Sequence, residues 1–135
     1  MKKLIIVLCA TVSCMMATAQ EYNKAALVVQ EQIVAYNARN LDAFAALYSD
    51  DIIIYKASGE VSLQGKAQLK ELFGTFFKNN PDLYCYIEDR IVLGDTVIDH
   101  EKIQLQKGRP FMEFIAMYKV KDGKIAEVHF LKSPY

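Results

Sequence analysis

The stretch Asn37-Ala38-Arg39-Asn40-Leu41-Asp42-Ala43-Phe44-Ala45-Ala46-Leu47-Tyr48-Ser49-Asp50-Asp51, followed by Ile52-Ile53-Ile54-Tyr55, decides how this chain folds. It reads as the end of one helix, a tight corner, a short second helix and a strand. Asn40 suits the N-cap of the second helix, because its side-chain oxygen can accept a free N–H of the first turn. Asp42 follows where the helix start is positive and a carboxylate is favoured. Leu41, Phe44, Leu47 and Tyr48 recur at three- and four-residue steps, which gives the short helix one apolar face. Ser49-Asp50-Asp51 stops that helix. The β-branched run beyond it prefers a pleated strand, predicted over residues 51–56.

Upstream, a helical pattern runs over residues 22–37, with Ala26, Val29, Ile33 and Tyr36 on one stripe and Val28 and Gln32 beside it. Before it come Met1-Lys2-Lys3, an apolar run from Leu4 to Ala10, and Ala17-Thr18-Ala19 ahead of Gln20. Positive, apolar and small-residue regions in that order describe a cleavable secretory leader, and the apolar part is too short to span a bilayer. The expectation is a leader over 1–19, a single domain over 20–135, and export to the periplasm or beyond. Lipid anchoring at Cys14 fits less well, since Thr11 stands where such sites carry an aliphatic residue. Cleavage removes Cys9 and Cys14. Cys85 alone forms no internal disulfide, so a packed core must hold the exported domain. Lying between Tyr84 and Tyr86 in a strand-like run, Cys85 reads as a core thiol rather than a nucleophile.

The composition is consistent with such a core. Of 135 residues 53% are hydrophobic and 24% charged, which suits one folded domain and excludes a disordered chain. Loss of Lys2 and Lys3 leaves 14 basic against 16 acidic residues. With no basic stripe and no acidic tail, nucleic acid and anionic membrane surfaces are not expected partners.

Downstream of the first strand, Ala57-Ser58-Gly59-Glu60 is a turn, and residues 61–63 are placed to pair back. A third helix is predicted over 66–78, with Leu69, Leu72, Phe73, Phe76 and Phe77 on a broad apolar face. Gly74 costs that helix about 1 kcal/mol of propensity, and a glycine there lets a neighbour approach closely. Pro81 ends it. The pattern then changes to strands over 83–93, 96–106, 111–121 and 124–132, joined at Gly94-Asp95, Lys107-Gly108-Arg109-Pro110 and Asp122-Gly123. Helices followed by an antiparallel meander give an α+β fold. The chain has no glycine-rich phosphate loop, paired-cysteine or His-x-x-x-His metal spacing, or Gly-x-Ser-x-Gly elbow, so no cofactor or metal is expected. Asp50-Asp51 reads as a solvated helix end, not a metal site.

The order of elements resembles the SnoaL-like branch of the nuclear transport factor 2 superfamily, which includes ketosteroid isomerase. The residues that carry the resemblance are Val28-Val29-Gln30, Tyr36 to Asp42, Leu47 to Asp51, Gly65-Lys66 and Asp122-Gly123-Lys124-Ile125. It covers nearly the whole chain after the leader. It implies a nuclear transport factor 2-like cone, with three N-terminal helices packed in a curved antiparallel sheet. The open end of such a cone admits a small apolar or amphipathic molecule, and the outer sheet face forms a homodimer. One fold of this kind serves isomerases, dehydratases, cyclases, binders and assembly modules. Isomerase chemistry needs a carboxylate base and two acidic donors for the enolate oxygen. By the resemblance those roles fall on Lys56, on Gln32 and among Ile115, Ala116 and Met117, so all three are vacant.

Strand alternation then sets which side chains face the hollow. Met112, Phe114, Ala116, Tyr118 and Val120 form the apolar set of the 111–121 strand, against Phe111, Glu113, Ile115, Met117 and Lys119 outside. On the last strand Ala126, Val128 and Phe130 face in, and His129 shares the outer face with Glu127. Parity matched to the resemblance turns Ile98, His100, Lys102 and Gln104 inward, whereas a slip of one residue turns Asp99 and Glu101 inward instead. Inward-facing, His100 is the residue suited to proton transfer near neutral pH. Gln32, Tyr36, Lys56 and Leu72 are expected to meet a ligand, together with Phe76, Lys102, Phe114 and Tyr118. Three functions fit: a small-molecule binder, a cofactor-free acid–base enzyme using His100, and an interaction module whose cone is filled. They differ in whether the hollow is open and which way His100 points.

Overall fold

The computed structural model describes residues 24–133, so the expected leader lies outside the described residues. Residues 24–37 form helix α1. At the corner after it, Asn40 accepts the backbone N–H of Ala43 at 3.1 Å and caps α2 (Leu41–Ala46). Strand β1 (Tyr48–Tyr55) follows, then β2 (Val61–Gln64), α3 (Lys66–Asn79), β3 (Tyr84–Leu93), β4 (Thr96–Gln104), β5 (Met112–Lys121) and β6 (Lys124–Lys132). Gly74 has the predicted role: a Cβ built there would lie 3.2 Å from Leu41 Cδ2, so α2 crosses α3 at close range.

The short helix ends earlier than its apolar spacing implies, and Tyr48 opens the strand instead of closing the helix. The reason is long-range. Leu47 O accepts the N–H of Ile125 at 2.8 Å, and Tyr48 pairs with Ile125 on the last strand. All six strands join one curved sheet in the order β2-β1-β6-β5-β4-β3. The late strands form the expected antiparallel meander, but β1 runs parallel to β6, so the sheet is mixed.

Burial follows the period of each element. On α1 the covered residues are Ala25, Val29, Gln32, Ile33, Ala35 and Tyr36, a stripe like the predicted one with Ala26 only half-buried. On β5, Ala116, Tyr118 and Val120 are buried, and on β6 Ile125 and Val128. Phe44 sits at the centre, fully buried, with the rings of Tyr48 and Phe73 at 4.9 and 4.6 Å.

One side chain covers part of the free edge of β3. Asn37 Oδ1 accepts the Cys85 N–H at 2.7 Å, and Asn37 Nδ2 donates to the Cys85 carbonyl at 2.9 Å. The amide thus stands in for one residue of a missing strand. Arg39, in the left-handed region at φ 53°, donates to the carbonyls of Asn37 and Leu83 and holds the corner in place. Asn37→Ala strands both backbone groups of a buried residue and is expected to cost about 2 kcal/mol. Urea unfolding of the two proteins side by side measures it, and a loss indistinguishable from zero would remove the edge role.

Candidate functional site

Between α1, α3 and the inner sheet face lies a cavity of about 400 Å³, within the range of small-molecule sites. Its walls are apolar: Ile33, Ile54, Phe73, Ile103, Phe114 and Phe130 all contribute. Phe73 and Phe76 line the hollow without filling it. Exposure grades along the cavity. Leu72 is 54% exposed and marks the mouth, whereas Tyr48, Glu101 and Tyr118 lie at 3, 4 and 4% and mark the inner end.

The expected ligand residues separate into two groups. Gln32, Tyr36, Leu72, Phe76, Phe114 and Tyr118 all line the cavity. Lys56 does not: it is exposed beyond the end of β1, with Glu60 at 3.7 Å. His100 and Lys102 do not either, because β4 has the opposite parity to the one matched from the resemblance. Asp99 pairs with buried Ala116 and Glu101 with Phe114, and both acids turn inward. His100 therefore faces out, bonded to Glu113 at 2.8 Å, and Lys102 pairs with Glu88 at 3.0 Å. His129 lies on the outer face as expected, 2.7 Å from Glu127 and stacked on Tyr55 at 4.3 Å. His100 is corrected from a cavity residue to an outer-face residue, and Glu101 takes its place.

Two buried acids, of which Glu101 lines the hollow, need partners. Asp99, fully buried, receives Arg90 Nε at 2.6 Å and Arg90 Nη2 at 2.7 Å, a bidentate pair. Arg90 also donates to Gln30 on α1 at 3.0 Å. The hydrogen bonds that Arg90 donates to Asp99 hold its guanidinium firmly in the charged form. Glu101 has no such cation. It accepts a short hydrogen bond from the Tyr118 hydroxyl, and burial lifts its carboxyl to about 7. The Tyr118 bond and Arg90 oppose that rise, while Asp99 adds to it. Burial likewise keeps the hydroxyls of Tyr36, Tyr48 and Tyr118 protonated, and the Glu101 charge adds to this for all three.

Two further polar groups reach the hollow. Cys85 lines it, but burial and the nearby Glu101 charge push its thiol far up, so it is no nucleophile. Gln32 lies beside Tyr48, and its Oε1 is buried with no hydrogen-bond partner. An orphan of this kind costs about 1–3 kcal/mol. The cavity can thus enclose an apolar body and meet it, at the inner end, with one carboxyl group, three phenols and one unpaired amide oxygen.

Helices held inside a curved six-stranded sheet, around an apolar hollow, define the nuclear transport factor 2-like class. Residues 29–128 match the SnoaL-like domain, and the chain belongs to that family. Solved structures of the same fold include an uncharacterised cystatin-fold protein from Novosphingobium aromaticivorans, at 23% identity and TM-score 0.71, covering 80% of this chain and 97% of the other. A SnoaL-like protein from Burkholderia thailandensis aligns at 20% identity and TM-score 0.67, over 80% of this chain and 92% of its own. A nuclear transport factor 2-like protein from Burkholderia xenovorans aligns at 21% identity and TM-score 0.66, over 84% and 86%. No curated protein sequence matches the chain.

Proposed function

We propose that this chain binds a small, largely apolar or amphipathic molecule in the cavity between its helices and its sheet. The observation that carries this reading is the open hollow of about 400 Å³, whose aromatic lining stops short of filling it. A filled cone, the mark of an interaction module, is not what the side chains build. The leader over 1–19 and the mixed outer face, where Ile115 and Met117 are half-buried, belong to the same proposal: an exported homodimer.

N-phenyl-1-naphthylamine, an apolar dye that brightens on leaving water, tests the reading directly. It should bind with a micromolar dissociation constant. Ile103→Trp, which places a larger ring inside the cavity, should weaken that binding about tenfold or more while the protein stays folded. Dye binding that ignores Ile103→Trp would remove the cavity as the site.

A second reading is supported by Glu101 alone. A carboxyl poised at about 7, hydrogen-bonded to Tyr118 in a largely apolar pocket, is equipped for general acid–base work. Isomerisation, dehydration or cyclisation without a cofactor would then run through Glu101, where the sequence pointed to His100.

A further inference from the structure

Beside the three phenols at the inner end of the cavity, two acceptors are under-used. Gln32 is 4% exposed, and its Oε1 is a buried acceptor with nothing to accept from. Glu101 takes one hydrogen bond, from Tyr118, and among the described residues no ion pair reaches it. Arg90, the cation whose charge it feels, is committed to Asp99. Around these groups stand aromatic rings. Tyr36 contacts Phe73 and Phe76 at 6.3 and 6.4 Å, and both phenylalanines line the hollow with it. Aromatic faces carry negative potential and attract cations.

A carboxylate without a counter-ion, an unpaired carbonyl and a set of ring faces together complement a cation that also donates hydrogen bonds. We propose that the cavity's ligand is an apolar amine bound as its ammonium, with Glu101 as counter-ion and Gln32 Oε1 accepting an N–H. The proposal rests on the ligand-binding reading above and narrows it to one chemical class. Competing head groups satisfy fewer of the same atoms. A ketone gives Gln32 nothing to accept, and a carboxylic acid sets a second acid against Glu101. A hydroxyl donates one hydrogen bond and brings no charge.

The charge balance around Glu101 supplies an independent signature. Gln32 and Tyr36 face it from α1, and Tyr48 from β1. Cys85 and Arg90 approach from β3, Tyr118 from β5, and Asp99 lies on its own strand. Arg90 is the lone cation of that group, and Asp99 offsets it. In the free protein Glu101 keeps its proton up to about 7. An arriving ammonium favours the carboxylate, so the carboxyl O–H breaks and its proton leaves to the buffer, while the ligand keeps all its N–H bonds. Near pH 6, amine binding therefore releases about one proton per site, and near pH 8 almost none.

Three probes on one carbon skeleton test this by calorimetry of the purified protein: 4-phenylbutylamine, 4-phenylbutan-1-ol and 4-phenylbutanoate. The amine should bind about tenfold or more tightly than the alcohol, as a charge-assisted hydrogen bond outweighs a neutral one, and the butanoate most weakly. Titrations at pH 6 in phosphate and in Bis-Tris, which differ in ionisation heat, should reveal the released proton. Glu101→Gln should abolish both that proton and the amine's advantage over the alcohol. Alcohol or butanoate binding as tightly as the amine overturns the amine class, as does amine binding with no proton released. In either case the cavity stands as a ligand site. Failure of all three probes in a protein that still binds N-phenyl-1-naphthylamine overturns the amine class alone, and failure of the dye as well overturns both readings.

Discussion

Arg90→Met is expected to destabilise the fold by about 3–5 kcal/mol, the usual consequence of leaving one member of a buried ion pair behind. Asp99 is fully buried, and both of its oxygens are engaged by the Arg90 guanidinium, at 2.6 and 2.7 Å. Methionine replaces the aliphatic stem but supplies no charge and no donor. The Asp99 carboxylate is then left in an apolar wall that water does not reach. Gln30 loses its 3.0 Å contact as well, so α1 loosens from the edge strand. Against a typical total of about 5–15 kcal/mol the loss is large. The double variant Arg90→Met with Asp99→Leu removes both charges and should recover most of the stability, because an apolar pair of similar volume does as well as a buried ion pair. Urea midpoints of the four proteins in the cycle decide the matter. A double variant as unstable as the single one would mean that packing, not charge, is what Arg90 supplies.

Glu101→Gln is expected to act in the opposite direction. Glu101 titrates at about 7 in the folded protein, against the ordinary 4.5 it recovers on unfolding. Below the ordinary value both states hold the proton and the group is neutral in effect. Between the two values the unfolded chain ionises freely while the folded one resists, so stability falls as pH rises. Above about 7 the loss is complete and amounts to about 3 kcal/mol. A glutamine resembles the protonated acid in shape and polarity, so it removes the slope. Thermal unfolding from pH 4 to 8 should show the native protein weakening across that range, with Glu101→Gln flat and about 10 °C higher in Tm at the alkaline end. Parallel curves would place the Glu101 titration elsewhere.

Most local structure was legible because it depends on neighbours in the chain. The Asn40 cap, the breadth of the α3 face, Gly74 as a point of close approach and the parity of β5 all follow from spacing and residue type. The parity of β4 did not. Inward-facing Val97, Asp99, Glu101 and Ile103 alternate with Ile98, His100, Lys102 and Gln104, and neither set is apolar throughout. Hydropathy alone does not choose between them, and parity borrowed from distant relatives chose wrongly. The turn does fix which residues oppose one another. Counting back from the tight Gly94-Asp95 turn sets Leu93 against Thr96, and therefore Arg90 against Asp99. That pairing supplies the counter-charge buried Asp99 needs, but the outward Lys102–Glu88 pair shows that opposite charges alone do not mark a face. Tyr48 was misassigned for a different reason, since its strand partner lies more than seventy residues away on β6.

That partner has a consequence for how the molecule is made. Among the described strands, the latest in the chain, β6, lies between the earliest, β1, and the body of the meander. Until residues 124–132 leave the ribosome, β1 and β5 each present a raw edge, and the hollow has one side open. Local structure can form during synthesis, but the sheet closes only once residues 124–132 are available.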